Sequence, residues 1–368
     1  MTGRVSLRSR LCLAAVIALF ALACGGSAKV KQAPALPPAN PQALGKMAQA
    51  VQSANEKQKA IALLRAAVKI DPNLWEARYN LGVLLAQVGD LTDAELELSK
   101  AQALAPNAED VVVALGEVRR RLEDPKGAVS VLEPFCKANP KAVAARIELV
   151  SALREAGEVE LAIRYAREVL VRRSNDPNAL AELAMSHLER GEVDAAELLV
   201  KEAEKAAPNN AIVARTSGLV SLKRGDDAVA FRQFAKASEL DPKDTTARLN
   251  TGTVLLQAGI YDKAVEEFRG VLAVNPDDTM AGVGLAAALR GTGSRDKQGP
   301  YLEAEKILKQ VLEREPKNVS ALFNLGVLYA DFLKKPAEAK PHLTKFLDLS
   351  PKSHPARPEA QKILSGTK

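Results

Sequence analysis

The sequence predicts an all-α fold, an α-solenoid of about nine helical hairpins followed by a short C-terminal helix. Three observations carry this. First, the octapeptide RYNLGVLL at 78–85 returns as RLNTGTVL at 248–255 and as LFNLGVLY at 322–329, and Gly82 and Gly252 lie 170 residues apart, five steps of 34. A period near 34 is that of a helical repeat array. Second, with each repeat numbered from its own start and the first beginning at residue 41, the twentieth place is alanine in all nine repeats: Ala60, Ala94, Ala128, Ala162, Ala196, Ala230, Ala264, Ala304 and Ala339. Third, glycine and proline punctuate the frame at regular places, as helix ends require. Aromatic residues make up only 4% of the chain against 47% hydrophobic residues. The core must therefore be Ala/Leu/Val, which suits closely packed helices better than sheets.

The elements follow in chain order. Residues 1–23 read as a signal peptide. MTGRVSLRSR carries Arg4, Arg8 and Arg10 and no acid, and Leu11–Ala23 is apolar throughout. Thirteen helical residues rise only about 20 Å, short of the roughly 30 Å hydrocarbon core. Without the three signal arginines the net charge falls from +6 to +3, and nothing then favours nucleic acid as a partner. Residues 24–40, which include QAPALPPANPQ, have no apolar period and read as a semi-extended tether. Cys12 leaves with the signal, and Cys136 has no cysteine partner in the mature chain, so no intramolecular disulfide is expected.

The repeats occupy residues 41–353. The eighth place is small in eight of nine repeats, with Val150 the exception, and twelve residues separate it from the alanine. Two small residues at that spacing fit the crossing of two antiparallel helices. The fifteenth place is glycine at 89, 157, 191, 225, 259 and 293, where a left-handed residue ends the first helix. The second helix runs to a proline (Pro72, Pro106, Pro140, Pro208, Pro242, Pro276, Pro316, Pro351), displaced to Pro177 in the fourth repeat. Pro134 falls inside a second helix and should kink it. The eighth repeat carries six surplus residues within GTGSRDKQGPYLEA, expected to loop out between its helices, and FLKKPAEAK adds one to the ninth. Residues 354–368 read as a capping helix and tail.

This pattern resembles the tetratricopeptide repeat (TPR) family, whose small–small–Ala–Pro skeleton falls on Gly82, Ala94, Ala101 and Pro106. The resemblance covers 41–353 and implies a right-handed superhelix whose first helices line a concave groove. A second resemblance concerns ALAC followed by GGS: small residues before a cysteine resemble the lipobox of bacterial lipoproteins. It implies lipidation of Cys24 after removal of the signal, although Ala21 stands where that family favours leucine. Ordinary secretion with cleavage after Ala23 is the alternative.

In the TPR frame, places 2, 5, 9, 12 and 13 face the groove. The candidate partner-binding residues are then Tyr79 and Val83; Val113, Arg120 and Arg121; Ile147 and Arg154; and Met185 and Leu188. Arg215, Leu219 and Leu222 follow, then Leu249 and Leu256, then Phe323 and Val327. Arg120, Arg121 and Arg154 form a basic cluster offset by Glu117 and Glu155, and an apolar stripe runs from Met185 to Leu256. Asn80, Asn250 and Asn324 share the sixth place, but the companion residues of the chaperone-binding carboxylate clamp are missing. The groove suits an extended or helical peptide with apolar anchors.

No catalytic constellation, phosphate loop or metal-ligand spacing appears, and neither cofactor nor metal is expected. His187 is far in sequence from His342 and His354. The expectation is a non-enzymatic scaffold, lipid-anchored in a bacterial envelope with the outer membrane favoured, recruiting an envelope protein through the groove. TPR lipoproteins of this kind include pilotins of type IV pilus secretins and proteins of the myxobacterial adventurous gliding machinery, the latter being the narrower resemblance. The alternative is a regulator of a peptidoglycan synthase or protease.

Overall fold

A computed structural model describes residues 37–242, 244–294 and 298–366. The signal peptide, Cys24 and most of the tether lie outside the described residues. Packing divides the chain into two compact units, residues up to Tyr165 and from Ala166 onward.

The first unit holds three complete hairpins and most of a fourth. The pairs are α1 (Pro41–Gln52) with α2 (Lys57–Ile70), α3 (Trp75–Gln87) with α4 (Leu91–Leu104), and α5 (Glu109–Arg121) with α6 (Pro125–Ala138); then come α7 (Val143–Glu155) and α8 (Val159–Arg172), within which the boundary falls. The second unit continues with α9 (Pro177–Glu189) and α10 (Val193–Ala206), α11 (Ala211–Arg224) and α12 (Asp227–Leu240), and α13 (Thr245–Gln257) and α14 (Tyr261–Val274). It ends with α15 (Thr279–Thr292) and α16 (Gly299–Arg314), α17 (Val319–Val327) and α18 (Pro336–Leu349), and the C-terminal α19 (Arg357–Gly366). The predicted α-solenoid of helical hairpins is therefore the fold.

The alanine of the twentieth place is buried to 0% or 1% exposure in every repeat. The eighth place has a further partner that the sequence frame did not supply. A Cβ added to Gly82 would lie 2.6 Å from Cγ of Leu98, and one added to Gly218 would lie 2.5 Å from Cε1 of Phe234. Leu132, Phe268 and Leu343 stand in the same relation to Gly116, Gly252 and Gly326. The glycine thus makes room for one bulky side chain sixteen or seventeen residues on, besides meeting the alanine: the carbonyl oxygen of Ala94 is 3.2 Å from the added Cβ at Gly82. Ala48 departs from the pattern and is exposed, on a helix that no described hairpin precedes.

Gly89, Gly157, Gly191, Gly225 and Gly259 adopt φ between 73° and 90° and end their helices as expected. Gly293 does not; its φ is −75°. Its repeat is also the one with six surplus residues, and these do not all loop out. Compared with α13 and α14, α15 is one residue longer and α16 two longer, so only half the surplus enters the connection 293–298. The extra residue of the ninth repeat is absorbed before the turn, in a π-helical segment, Leu328–Phe332, that widens the end of the first helix. α6 runs from Pro125 to Ala138 with Pro134 inside it.

A recurrent arginine also escaped the sequence frame. Six residues after the turn proline, Arg78 donates to the Pro72 carbonyl at 2.8 Å, and Arg146 to Pro140 at 2.7 Å and Cys136 at 3.0 Å. Arg357 repeats the device at the last turn, donating to the carbonyls of Leu347 (2.5 Å) and Ser350 (2.9 Å). Each cation satisfies carbonyls that the end of the preceding helix leaves open.

Candidate functional site

The first helices of successive repeats approach one another, α3 to α5 to α7 in the first unit and α9 to α11, α13 to α15 and α15 to α17 in the second. No pair of second helices packs as closely among the described residues. Within each unit this puts the first helices on the inner side of the stack. Every groove residue named from sequence lies on one of these helices.

Their exposure sorts them. Tyr79, Val83, Val113, Ile147, Met185, Leu188, Leu219, Leu222, Leu249, Leu256 and Phe323 are half-buried, and Arg121 is exposed. Val327 is a correction: at 4% exposure it belongs to the core, at the point where the π segment begins and on the helix against which α19 packs. Phe323 also has a packing duty, its ring centroid 5.1 Å from that of Phe346. Leu188, Leu222 and Leu256 each rest on a different buried cluster, with their outer surfaces still in the groove. The second unit therefore carries a row of half-covered leucines on α9, α11 and α13.

The basic cluster of the first unit is not a free cationic patch. Arg120 forms two parallel bonds to Glu155, Nη2–Oε1 2.6 Å and Nε–Oε2 2.8 Å, and its Nη1 lies 2.8 Å from Oε1 of Glu148. Burial lowers the pKa of this guanidinium, but the hydrogen bond to Glu155 and the field of both carboxylates outweigh it and raise it overall. Arg154 lies 3.6 Å from Glu155. Glu117, expected to offset the cluster, is exposed, and Glu148 takes that role instead. The pairs tie α5 to α7. A bidentate, half-buried ion pair of this kind fixes the register of two repeats and leaves little net charge for a partner.

In the second unit, Arg215 is 3.5 Å from Asp244, at the cap of the next first helix. On the opposite side a cavity of about 420 Å³, lined by Phe231, Ser238, Arg248 and Glu267, opens between α12, α13 and α14. There burial raises the Glu267 pKa, and Arg248 stays 3.9 Å away. Each histidine has a side-chain partner: Nδ1 of buried His187 is 2.5 Å from Glu192, while His342 and His354 pack on Tyr329 and Phe346. Among the described residues no cluster of His, Cys, Asp and Glu could hold a metal, and no helix is long and apolar enough to cross a membrane.

The tetratricopeptide repeat family model matches residues 46–109, 113–177, 147–211, 181–245, 218–279 and 294–354. Anaphase-promoting complex subunit 3 of Schizosaccharomyces pombe is 30% identical over 102 residues, covering 27% of this chain and 15% of that protein. A chain of the APC/C hetero-tetramer Cut9–Hcn1 superposes with a TM-score of 0.63 at 16% identity, over 86% of this chain and 60% of that one. The Pseudomonas aeruginosa PilF structure superposes with a TM-score of 0.52 at 22% identity, over 62% of this chain and 98% of that one. The chain thus spans less than two thirds of the first two, and at these identities the two structural likenesses establish the fold alone. With the 34-residue frame, the helical hairpins and the family model in agreement over most of its length, the chain belongs to the tetratricopeptide repeat family.

Proposed function

We propose that this protein is a non-enzymatic scaffold, lipid-anchored through Cys24 in a bacterial envelope, that recruits or stabilises one protein of an envelope machine through the inner groove. The observation that carries the reading is the row of half-covered leucines on α9, α11 and α13. It offers apolar surface to an extended or helical segment on a scaffold whose neighbouring repeats hold it in place. The lipobox-like ALAC supports the anchor, and outer-membrane attachment and a part in gliding or type IV pilus assembly are its narrower form.

One experiment tests both halves: purification from solubilised envelopes of the natural chain, of Cys24→Ala, and of the triple variant Met185→Glu, Leu219→Glu, Leu256→Glu. The natural chain should label with palmitate and enrich an envelope protein. Cys24→Ala should lose the label and leave the envelope. The triple variant should keep the label and lose the partner. Continued labelling of Cys24→Ala refutes the anchor, and equal enrichment by the triple variant refutes the groove.

A further inference from the structure

The turn before the seventh repeat has its counterpart 170 residues earlier, at the turn before the second. Pro72, Arg78 and Glu97 return there as Pro242, Arg248 and Glu267. In the second repeat Arg78 joins the other two: its Nε donates to the Pro72 carbonyl at 2.8 Å, and its Nη1 lies 2.5 Å from Glu97. The Arg78 and Glu97 side chains are 10% and 13% exposed. In the seventh repeat Arg248 stays 3.9 Å from Glu267, and the two side chains are 31% and 29% exposed. The cavity of about 420 Å³ opens between them, with Pro242, Arg248 and Glu267 all on its wall.

Three other differences between the two repeats clear this space and make it polar. Gly270 stands where the second repeat has Lys100, and the Arg248 guanidinium rests against it: an added Cβ would collide with Nη1 and lie 3.2 Å from Cζ. Ala235 stands in place of Arg65, which pairs with Asp93 at 2.9 Å. Ser238 stands in place of Val68. Ala235 and Ser238 both line the cavity. Oγ of Ser238 and Oε2 of Glu267 are buried and have no hydrogen-bond partner among the described residues. Unmet polar atoms of this kind are costly to keep. The space is more than ten times the roughly 30 Å³ share of one water, and its volume is that of a small-molecule site. Glu239, Glu266 and Glu267 line it against Arg248 and Lys263, so its walls carry a net negative charge.

We infer that this cavity binds a small organic cation, an alkylguanidinium, whose head takes the place that the Arg78 guanidinium holds in the second repeat. The head donates to Glu267, Ser238 and the Pro242 carbonyl, and its stem lies on Phe231, Ala235 and Leu255. A planar fork of N–H donors matches a carboxylate with two neutral acceptors beside it. The ligand makes these bonds in place of Arg248 because Gly270 gives the Arg248 head another seat. The cavity lies on the opposite side of the repeats from the groove, so the site does not depend on the groove reading.

The test is isothermal titration of the detergent-solubilised full chain with n-butylguanidinium, and with n-butylammonium and butyrate for comparison. The natural chain should bind one n-butylguanidinium saturably, n-butylammonium at least threefold more weakly, and butyrate not at all. Glu267→Gln should weaken n-butylguanidinium binding at least tenfold. Gly270→Lys restores the residue of the second repeat and denies Arg248 its seat. It should abolish binding without lowering the thermal midpoint, which shows that the loss is not unfolding. Glu97→Gln, at the counterpart place in the second repeat, should leave the affinity within twofold. Absence of saturable binding overturns the inference, as does binding that either Glu267→Gln or Gly270→Lys leaves intact or that Glu97→Gln weakens as much. Equal affinity for n-butylammonium or for butyrate overturns the assignment of a guanidinium.

Discussion

Gly218→Ala is expected to destabilise the protein by about 1–2 kcal/mol, although alanine is the better helix former by about 1 kcal/mol. The two effects oppose, and distance decides between them. The new Cβ would lie 2.5, 2.6 and 2.9 Å from three atoms of the Phe234 ring, which is itself at 0% exposure and has nowhere to retreat. Gly45 in α1 is the control, because a Cβ there meets nothing within 4 Å. Gly45→Ala should accordingly stabilise by about 0.5–1 kcal/mol. Combining Gly218→Ala with Phe234→Ala should cost less than the sum of the two single changes, because the ring that the new Cβ would strike is gone. Urea unfolding followed by circular dichroism reads the natural chain, Gly45→Ala, the two single changes at Gly218 and Phe234, and their combination. A Gly218→Ala chain as stable as Gly45→Ala would show that the helices do not cross as closely as described.

Arg146→Met should cost about 2–4 kcal/mol, the larger of the two effects. Arg146 is 4% exposed and donates to the carbonyls of Cys136, Pro140 and Ala142. Methionine keeps much of the stem and removes the donors, leaving carbonyls at the end of α6 without their cation. In an array whose repeats touch only their neighbours the damage stays local. Hydrogen exchange should speed up in α6 and α7 and much less in α1. Arg121→Met, on the same unit's exposed surface, should change stability by less than about 0.5 kcal/mol.

The fold was legible because its signals are local and repeated. Ala60 to Ala339 recur at one place, and Gly89, Gly157, Gly191, Gly225 and Gly259 take the backbone conformation that made them recognisable. The failures share a physical cause, the freedom of a helix to absorb length. A surplus residue need not enter a loop: the ninth repeat takes its extra one into the π segment at Leu328–Phe332, and the eighth lengthens both helices. Glu123 and Lys334, with φ of 60° and 56°, show that the left-handed turn is kept even where glycine is absent.

The groove was less legible than the fold. The frame put each residue on the right helix but could not say which were covered. Val327 is buried on the helix that α19 meets, and Arg120 proved to be a tie between repeats because Glu148 and Glu155 lie 28 and 35 residues further on. The second separation is about one repeat, so a search for opposite charges offset by about 34 residues finds Glu155, whereas Glu148 lies six residues short of that offset.

The central claim is that the partner occupies the inner groove. Site-specific photo-crosslinking in intact envelopes tests it most directly, with the reactive side chain placed at Leu222 on α11 or at Leu198 on α10, a second-helix position that is 69% exposed. The prediction is one discrete heavier product from Leu222 and none from Leu198. A discrete product from Leu198, with none from Leu222, would contradict it.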